Sequence, residues 1–203
     1  MIAIIDYGVG NLFSLSQSLR AIGQECVVTA DAQALRSAER IILPGVGAFG
    51  DAAERLRATG LVDTIRGEAE AGKPLLGICL GMQMLFDRSF EYGEHEGLGL
   101  IPGDVTPLEP VLPAGLKVPH IGWNRLDVLR PEDPIFRYTR RDDYVYYVHS
   151  FYAVRCAQST LATSEYGVPV TGVVRRGSVV GMQFHPEKSG DAGLHLLRAF
   201  AEL

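Results

Sequence analysis

Hydrophobic and polar positions change rhythm about halfway along the chain. In the first half, short apolar runs alternate with stretches of helical spacing. Ile2 to Ile5 reads as a short buried strand, the turn-rich DYGVGN follows, and Leu12, Leu15, Leu19 and Ile22 recur at helical spacing until Gly23 closes the helix. Glu25 to Val28 and Arg40 to Leu43 predict two more strands, after which Pro44 and three glycines precede a helix near Asp51 to Ala58. Leu61 to Ala71 predicts another helix, KPLLGI a strand, and Leu80 to Phe86 the helix that follows it. Apolar strands separated by helices are the pattern of a parallel sheet covered on both faces. From Val105 onward closely spaced β-rich runs with Gly and Pro punctuation, among them KVPHIGWN and DYVYYVHSFYAV, predict strands and hairpins. A closing helix from about Asp191 would turn Leu194, Leu197 and Phe200 inward. No repeat, low-complexity tract or linker interrupts the chain, so residues 1–203 are expected to form one domain.

Composition narrows the function. With 47% hydrophobic and 21% charged residues the chain can build an ordinary core. A net charge of −5 with no basic block gives no electrostatic reason to bind nucleic acid or an anionic membrane. No apolar run approaches the roughly 20 residues of a membrane span, and MIAIIDYGVG lacks the basic start of a signal peptide, so a cytoplasmic chain is expected. Cys26, Cys79 and Cys156 are scattered, with no CxxC. Neither a disulfide framework nor a zinc site is suggested, no metal or cofactor is expected, and Cys26 and Cys156 are expected to be buried, inert thiols.

Cys79 is different because of its neighbours. Gly77-Ile78-Cys79-Leu80-Gly81 lies between a predicted strand and a predicted helix and matches the nucleophile-elbow pattern, with a thiol in place of the hydroxyl. Unpaired N–H groups at the helix start favour negative charge on sulfur, and the next residue's N–H can bind an oxyanion. A small cysteine packed in the core between two glycines would give the same string. A thiol nucleophile needs a base and an orienting group, and GMQFHPEKS supplies both. In extended backbone positions i and i+2 share a side, so Glu187 could accept from one nitrogen of His185 while the other faces a thiol. Alone, His-Pro-Glu also fits a strand-ending turn with solvated side chains; together the two motifs favour a nucleophile and its base. Gly45-x-Gly47-x-x-Gly50 formally fits a dinucleotide fingerprint. Pro44 at the turn, and only the unremarkable Asp63 or Glu68 as ribose partner, weaken that match. The alternative is that the Pro44 to Gly47 backbone supplies a second oxyanion N–H opposite that of Leu80.

LPGVGAFG, GICLGMQMLF and GMQFHPEKS, in that order, resemble the class I (triad) glutamine amidotransferases. More narrowly, IDYGVGNLFSL, EGLGLIPGDV, VPHIGWN and YYVHSFYA resemble the glutaminase subunits of imidazole glycerol phosphate synthases. The resemblance runs from Ile2 to the helix after Ser189 and is least in Val111 to Leu116 and Asp127 to Asp143. It implies a flavodoxin-like three-layer α/β sandwich with a largely parallel central sheet and extra antiparallel strands in the C-terminal half. It implies that glutamine is hydrolysed to glutamate and ammonia by Cys79, His185 and Glu187, with an oxyanion hole from the Leu80 N–H and the Gly45, Val46 and Gly47 backbone. Gln83 and Glu96, with the backbone of His149, Ser150 and Phe151, would surround the amino-acid end of glutamine. Ammonia would pass to a separate cyclase subunit, which makes imidazole glycerol phosphate and AICAR from PRFAR in histidine biosynthesis. Asn11, Trp123, Asn124, Tyr146 and Lys188 would face that subunit in a heterodimer. The resemblance also implies that the lone chain is nearly silent, and the paired glycines suggest a peptide flip in Gly45-Val46-Gly47 as the route. Two alternatives stand beside it. A triad glutaminase serving another acceptor, such as pyridoxal phosphate synthesis, is opposed by the DYGVGN and HIGWN blocks. A non-catalytic scaffold would not need Cys79, His185 and Glu187 together.

Overall fold

The short apolar runs become the inner strands of an eight-stranded sheet in a computed structural model that describes residues 1–203. The first half of the chain runs β1 (Ile2–Ile5), α1 (Leu12–Ala21), β2 (Cys26–Thr29), α2 (Ala32–Ser37), β3 (Arg40–Leu43), α3 (Phe49–Ala58), α4 (Val62–Glu70), β4 (Leu75–Ile78) and α5 (Leu80–Met84). Next come β5 (Arg88–Ser89), β6 (His95–Glu96), β7 (Asp104–Pro107), β8 (His120–Arg125) and β9 (Asp127–Val128). The chain closes with β10 (Tyr144–His149), β11 (Phe151–Val154), β12 (Thr160–Glu165), β13 (Pro169–Arg176), β14 (Val179–Met182) and α6 (Gly190–Ala201).

The large sheet has the order β2-β1-β3-β4-β14-β13-β12-β9. Its first five strands are parallel, in the flavodoxin-like sequence of neighbours, and β13, β12 and β9 continue it antiparallel. The last parallel strand is thus supplied by the far end of the chain. Side chains of the parallel strands alternate between two apolar clusters: Ala3, Ile5, Ile41, Leu43 and Leu75 pack with α2 to α5, whereas Ile2, Ile4, Ile42, Leu76 and Ile78 pack with α1 and α6. Period-2 alternation with both faces apolar is why these strands read as continuous hydrophobic runs. A four-stranded sheet, β11-β7-β5-β6, and the antiparallel pair β8/β10 complete the molecule. No helix is long and apolar enough to cross a membrane.

Several expectations need correction. Helix α3 starts at Phe49, two residues before the predicted start, because the Phe49 N–H donates to Glu91 Oε2 at 2.8 Å, a cap supplied from 42 positions away. Helix α2 escaped the reading because it is one and a half turns long with Leu35 as its one buried residue. In α6 it is Leu196, with Leu197 and Phe200, that is fully buried, and Leu194 is half-exposed. Cys156 is buried, but Cys26 is only half-buried because β2 is the sheet's edge strand.

Candidate active site

The carboxyl ends of β1, β3, β4 and β14 converge, the position where open parallel sheets place ligands. Cys79 follows β4 directly, and its N–H continues the β4/β14 ladder to the Met182 carbonyl at 2.7 Å. The chain then reverses into α5 through φ +55° and ψ −112° at Cys79. That left-handed conformation in a non-glycine residue costs on the order of 1–3 kcal/mol and persists only where its surroundings enforce it. A Cβ on Gly81 would overlap the Leu43 carbonyl, so only glycine lets the first turn of α5 lie against the end of β3.

The loop after β3 passes over this turn. Tyr7, from the loop after β1, is buried and donates to the Pro44 carbonyl at 2.6 Å, which fixes one side of the Gly45 peptide beside the elbow. Gly47 adopts φ +93°, and Val46 and Gly47 line the same cavity as Cys79 and Leu80. The start of α5 and this loop therefore border the same cavity.

His185 and Glu187 stand opposite. His185 Nδ1 is 2.8 Å from Glu187 Oε1, and both side chains are 2% exposed. Glu187 Oε1 also accepts from Asn11 Nδ2 at 3.0 Å. Burial disfavours a charged imidazole, yet the Cys79 sulfur and the Glu187 carboxylate outweigh it and push the His185 pKa up to about 10. Burial likewise works against ionised Glu187, and His185 and Asn11 overcome it, holding that carboxyl below the usual carboxylate range. The buried His185 Nε2 has no hydrogen-bond partner, so it is free to exchange a proton with Cys79. Cys79 Sγ itself lies 3.9 Å from Gln183 Nε2 and 4.0 Å from the Val148 carbonyl.

Cys79, Leu80, Val46, Gly47, Gln83, His149, Ser150, Phe151 and His185 all line one cavity of about 280 Å³. Gly45 lies just behind it, in a recess shared with Asn11 and Glu187. Glu96 is not there. It is exposed on β6, paired with Arg88 of β5, and lines a separate cavity with Arg57 and Arg66. The turn that joins β5 to β6 carries Glu91 into the cavity instead. Glu91 is 8% exposed, and burial raises its pKa above the ordinary carboxylate value. Glu91, Tyr7 and Gln183 escaped the sequence reading. Gln183 had a usable signal, standing two positions before His185 just after the last apolar strand, whereas Glu91 and Tyr7 had none that distinguishes them from loop residues.

Of the residues expected at a partner face, Trp123 is 52% exposed and packs edge-to-face on Tyr146 at 5.9 Å. Lys188 Nζ lies 5.9 Å over the Tyr146 ring. Asn11 and Asn124 are half-buried and engaged within the chain, Asn11 with Glu187 and Asn124 with the Glu165 carbonyl at 2.9 Å.

A nucleophile elbow at the end of a central parallel strand, with a His–carboxylate pair across a small cavity, defines a class of thiol-dependent acyl-transfer enzymes. The family description "Glutamine amidotransferase class-I" matches residues 3–202, and the chain belongs to that family. Full-length relatives narrow it. Imidazole glycerol phosphate synthase subunit HisH of Lacticaseibacillus casei is 49% identical over 203 residues, covering 100% of this chain and 96% of the relative. The subunit HisH of Oceanobacillus iheyensis is 46% identical over 204 residues, covering 100% and 99%. Within the class, this chain falls in the HisH family. Among solved structures, a glutamine amidotransferase superposes with a TM-score of 0.76 at 21% identity, covering 99% of this chain and 100% of the other. PurLQS from Thermotoga maritima gives 0.73 at 22% identity, covering 99% and 97%. At such identities the structural likeness bears on the fold alone.

Proposed function

We propose that residues 1–203 act as one catalytic domain that hydrolyses glutamine to glutamate and ammonia, and that the ammonia passes to a cyclase subunit in histidine biosynthesis. The observation that carries the reading is the strained Cys79 elbow facing a His185 whose far nitrogen is held by Glu187. The Cys79 sulfur attacks the side-chain carboxamide, and the oxyanion is held by the Leu80 N–H together with a backbone N–H of the Gly45 to Gly47 loop. His185 protonates the departing ammonia, then takes a proton from the water that hydrolyses the thioester, while Glu187 fixes its tautomer and stabilises imidazolium. At the other end of the cavity Gln83 and the backbone of residues 149–151 meet the substrate's amino-acid end. Glu91, rather than Glu96, supplies the countercharge for the α-ammonium group.

Ammonia released into bulk water would be protonated and lose its nucleophilicity, so a closed route to a partner makes chemical sense. The outward face of β8 and β10 fits that role. It carries Ile121, Trp123, Tyr144 and Tyr146, of which the first three are at least half exposed, and it borders the cavity through Val148 of the same strand. Aromatic side chains gathered on one exposed face fit a protein contact. The complex would be a cytoplasmic heterodimer without a cofactor.

The test is glutamate release from glutamine, measured with and without the cyclase and its ribonucleotide, beside Cys79→Ser. Partner-dependent turnover that vanishes in Cys79→Ser is expected. Turnover that ignores the cyclase would redirect the ammonia to another acceptor, and turnover surviving Cys79→Ser would remove the nucleophile from the scheme.

A further inference from the structure

The catalytic scheme leaves unused the side chains of two buried histidines on the inner side of β8 and β10. His120 and His149 are 0% and 6% exposed, and His120 Nδ1 lies 2.9 Å from His149 Nε2. They form the middle of a chain of hydrogen bonds. At its outer end Asn124 Nδ2 donates to the Glu165 carbonyl at 2.9 Å, and Asn124 Oδ1 lies 2.8 Å from His120 Nε2. At its inner end His149 Nδ1 lies 2.9 Å from the Phe151 carbonyl. That carbonyl also accepts from Gln83 Nε2 at 3.0 Å, and Gln83 donates to Gln183 Oε1 at 3.0 Å. Gln183 Nε2 then reaches the Cys79 sulfur at 3.9 Å. The chain thus begins beside the exposed aromatic strand and ends in the catalytic cavity.

Counting hydrogens exposes a shortage. Both ends of the chain are carbonyl oxygens, which only accept, so the four links between them need four hydrogens. Asn124 presents its amide to one side and its oxygen to the other and supplies one. Each neutral imidazole supplies one more, leaving the chain one hydrogen short. A third proton on the two rings completes every link. Without it, one link sets acceptor against acceptor, and the least costly place is the outer end, where Asn124 is half-exposed and water can reach the Glu165 carbonyl. Turning the Asn124 amide over then lets its NH2 donate to His120 Nε2. With the third proton on His120, since the deeper burial of His149 makes it the less basic ring, the inner links keep one polarity in both conditions: His120 donates from Nδ1 to His149 Nε2 and His149 donates from Nδ1 to Phe151.

We propose that His120 is a positioning residue of the glutamine pocket, acting through His149 to seat the Phe151 carbonyl and Gln83, in a pair that takes up one proton and not two. Its substrate half rests on the glutaminase reading; its tautomer half does not. The surroundings agree with the count. Burial holds the basicity of both rings down, that of His149 to a pKa of about 3. Tyr147 and Tyr166 stack on His120 at 4.8 and 3.9 Å, offering no charge. Across the cavity from His149 stand Cys79, Glu91 and His185, and a cationic His185 opposes a second proton.

The experiment uses the full chain. Ring 15N spectra are recorded from pH 8 to 4.5 without substrate, and glutamine kinetics with the cyclase subunit are measured for the wild type, His120→Leu and His120→Asn. At neutral pH both rings are expected to carry hydrogen on Nδ1 alone, and the pair to gain at most one proton over the range. His120→Leu is expected to raise KM about five- to tenfold, the equivalent of one lost hydrogen bond, with kcat within about twofold. Asparagine, whose amide N–H can stand in for imidazole Nδ1, is expected to recover most of that loss. A His149 protonated on Nε2 at neutral pH, two rings that titrate independently near their ordinary pKa, or unchanged KM in both variants would overturn the proposal. Should His120→Leu fail to fold, the wild-type spectra and His120→Asn decide. A wild type that never hydrolyses glutamine would fail the functional reading, and the ring tautomers would still judge the chain.

Discussion

Asn11 occupies the position that begins α1, where an asparagine side chain ordinarily caps the helix, yet it makes no cap. Its amide goes instead to Glu187 Oε1, the oxygen that also holds His185. A residue with a good local use has been spent on a distant one, which is why local spacing does not betray it. The same oxygen makes a sharp prediction. Glu187→Gln keeps the shape but removes the charge that helps hold the His185 pKa near 10. The pKa is expected to move back toward the ordinary histidine value, and kcat to fall by about 10³-fold, since the imidazole loses both tautomer control and charge stabilisation. NMR titration of the His185 ring and steady-state kinetics would check the two halves separately. An unshifted titration would show that Cys79 alone sustains it.

At the scale of elements, the catalytic histidine is fastened where three of them meet. The His185 N–H donates to the Tyr146 carbonyl of β10 at 3.0 Å, and Ser189 Oγ, just before α6, donates to the His185 carbonyl at 2.6 Å while accepting from the Tyr146 N–H at 3.0 Å. One hydroxyl thus ties the end of β14, the start of α6 and the aromatic strand together. Ser189→Ala is expected to cost about 1–2 kcal/mol in denaturant unfolding, because a buried N–H and the His185 turn lose their partner. Glutaminase activity is expected to fall severalfold; full activity with that stability loss would make Ser189 purely structural. Sequence periodicity located the strands and long helices here because burial on both sheet faces writes itself as uninterrupted apolar runs. It missed α2, too short to show a period, and the true start of α3, which depends on the Glu91 cap.

Across the whole molecule, buried titratable groups govern how stability follows pH. His185, raised to about 10, contributes stability that is complete below its unfolded value of about 6.5 and is lost as pH rises toward 10. His149, held down to about 3, acts in the opposite range. Below about pH 6.5 the unfolded chain takes a proton that the folded chain refuses, so stability declines as pH falls. Glu187, depressed, adds a further loss once pH drops below about 4.3 and through its folded value. The urea midpoint is therefore expected to peak between about pH 6 and 7 and to fall on both sides. A midpoint flat from pH 5 to 9 would contradict this, and His185→Ala should flatten the alkaline side alone. The aromatic face makes the other prediction at this scale. Trp123→Ala is expected to weaken cyclase binding about tenfold or more, by titration calorimetry, while leaving the isolated chain's stability within about 0.5 kcal/mol because Trp123 is half-exposed. A large stability loss with unchanged affinity would return Trp123 to a packing role.

The sequence by itself determined the layered α/β plan, the elbow at Cys79 and the His185–Glu187 pair, because each is a local pattern: apolar periodicity, glycines around a turn, and two residues two positions apart; the pair nevertheless meets through a short 3-10 turn over Pro186–Lys188 and not along the extended segment expected. Only the tertiary structure decided the rest. It brought Glu91 rather than Glu96 to the cavity, since the short β5/β6 pairing directs one acid inward and the other out. It joined Tyr7 to Pro44, Asn11 to Glu187 and His120 to His149 across 37, 176 and 29 positions of chain. These partners meet because β1 pairs with β3, β8 with β10, and β14, from the far end of the chain, with β4, and no local signal records which distant groups a sheet order will place side by side.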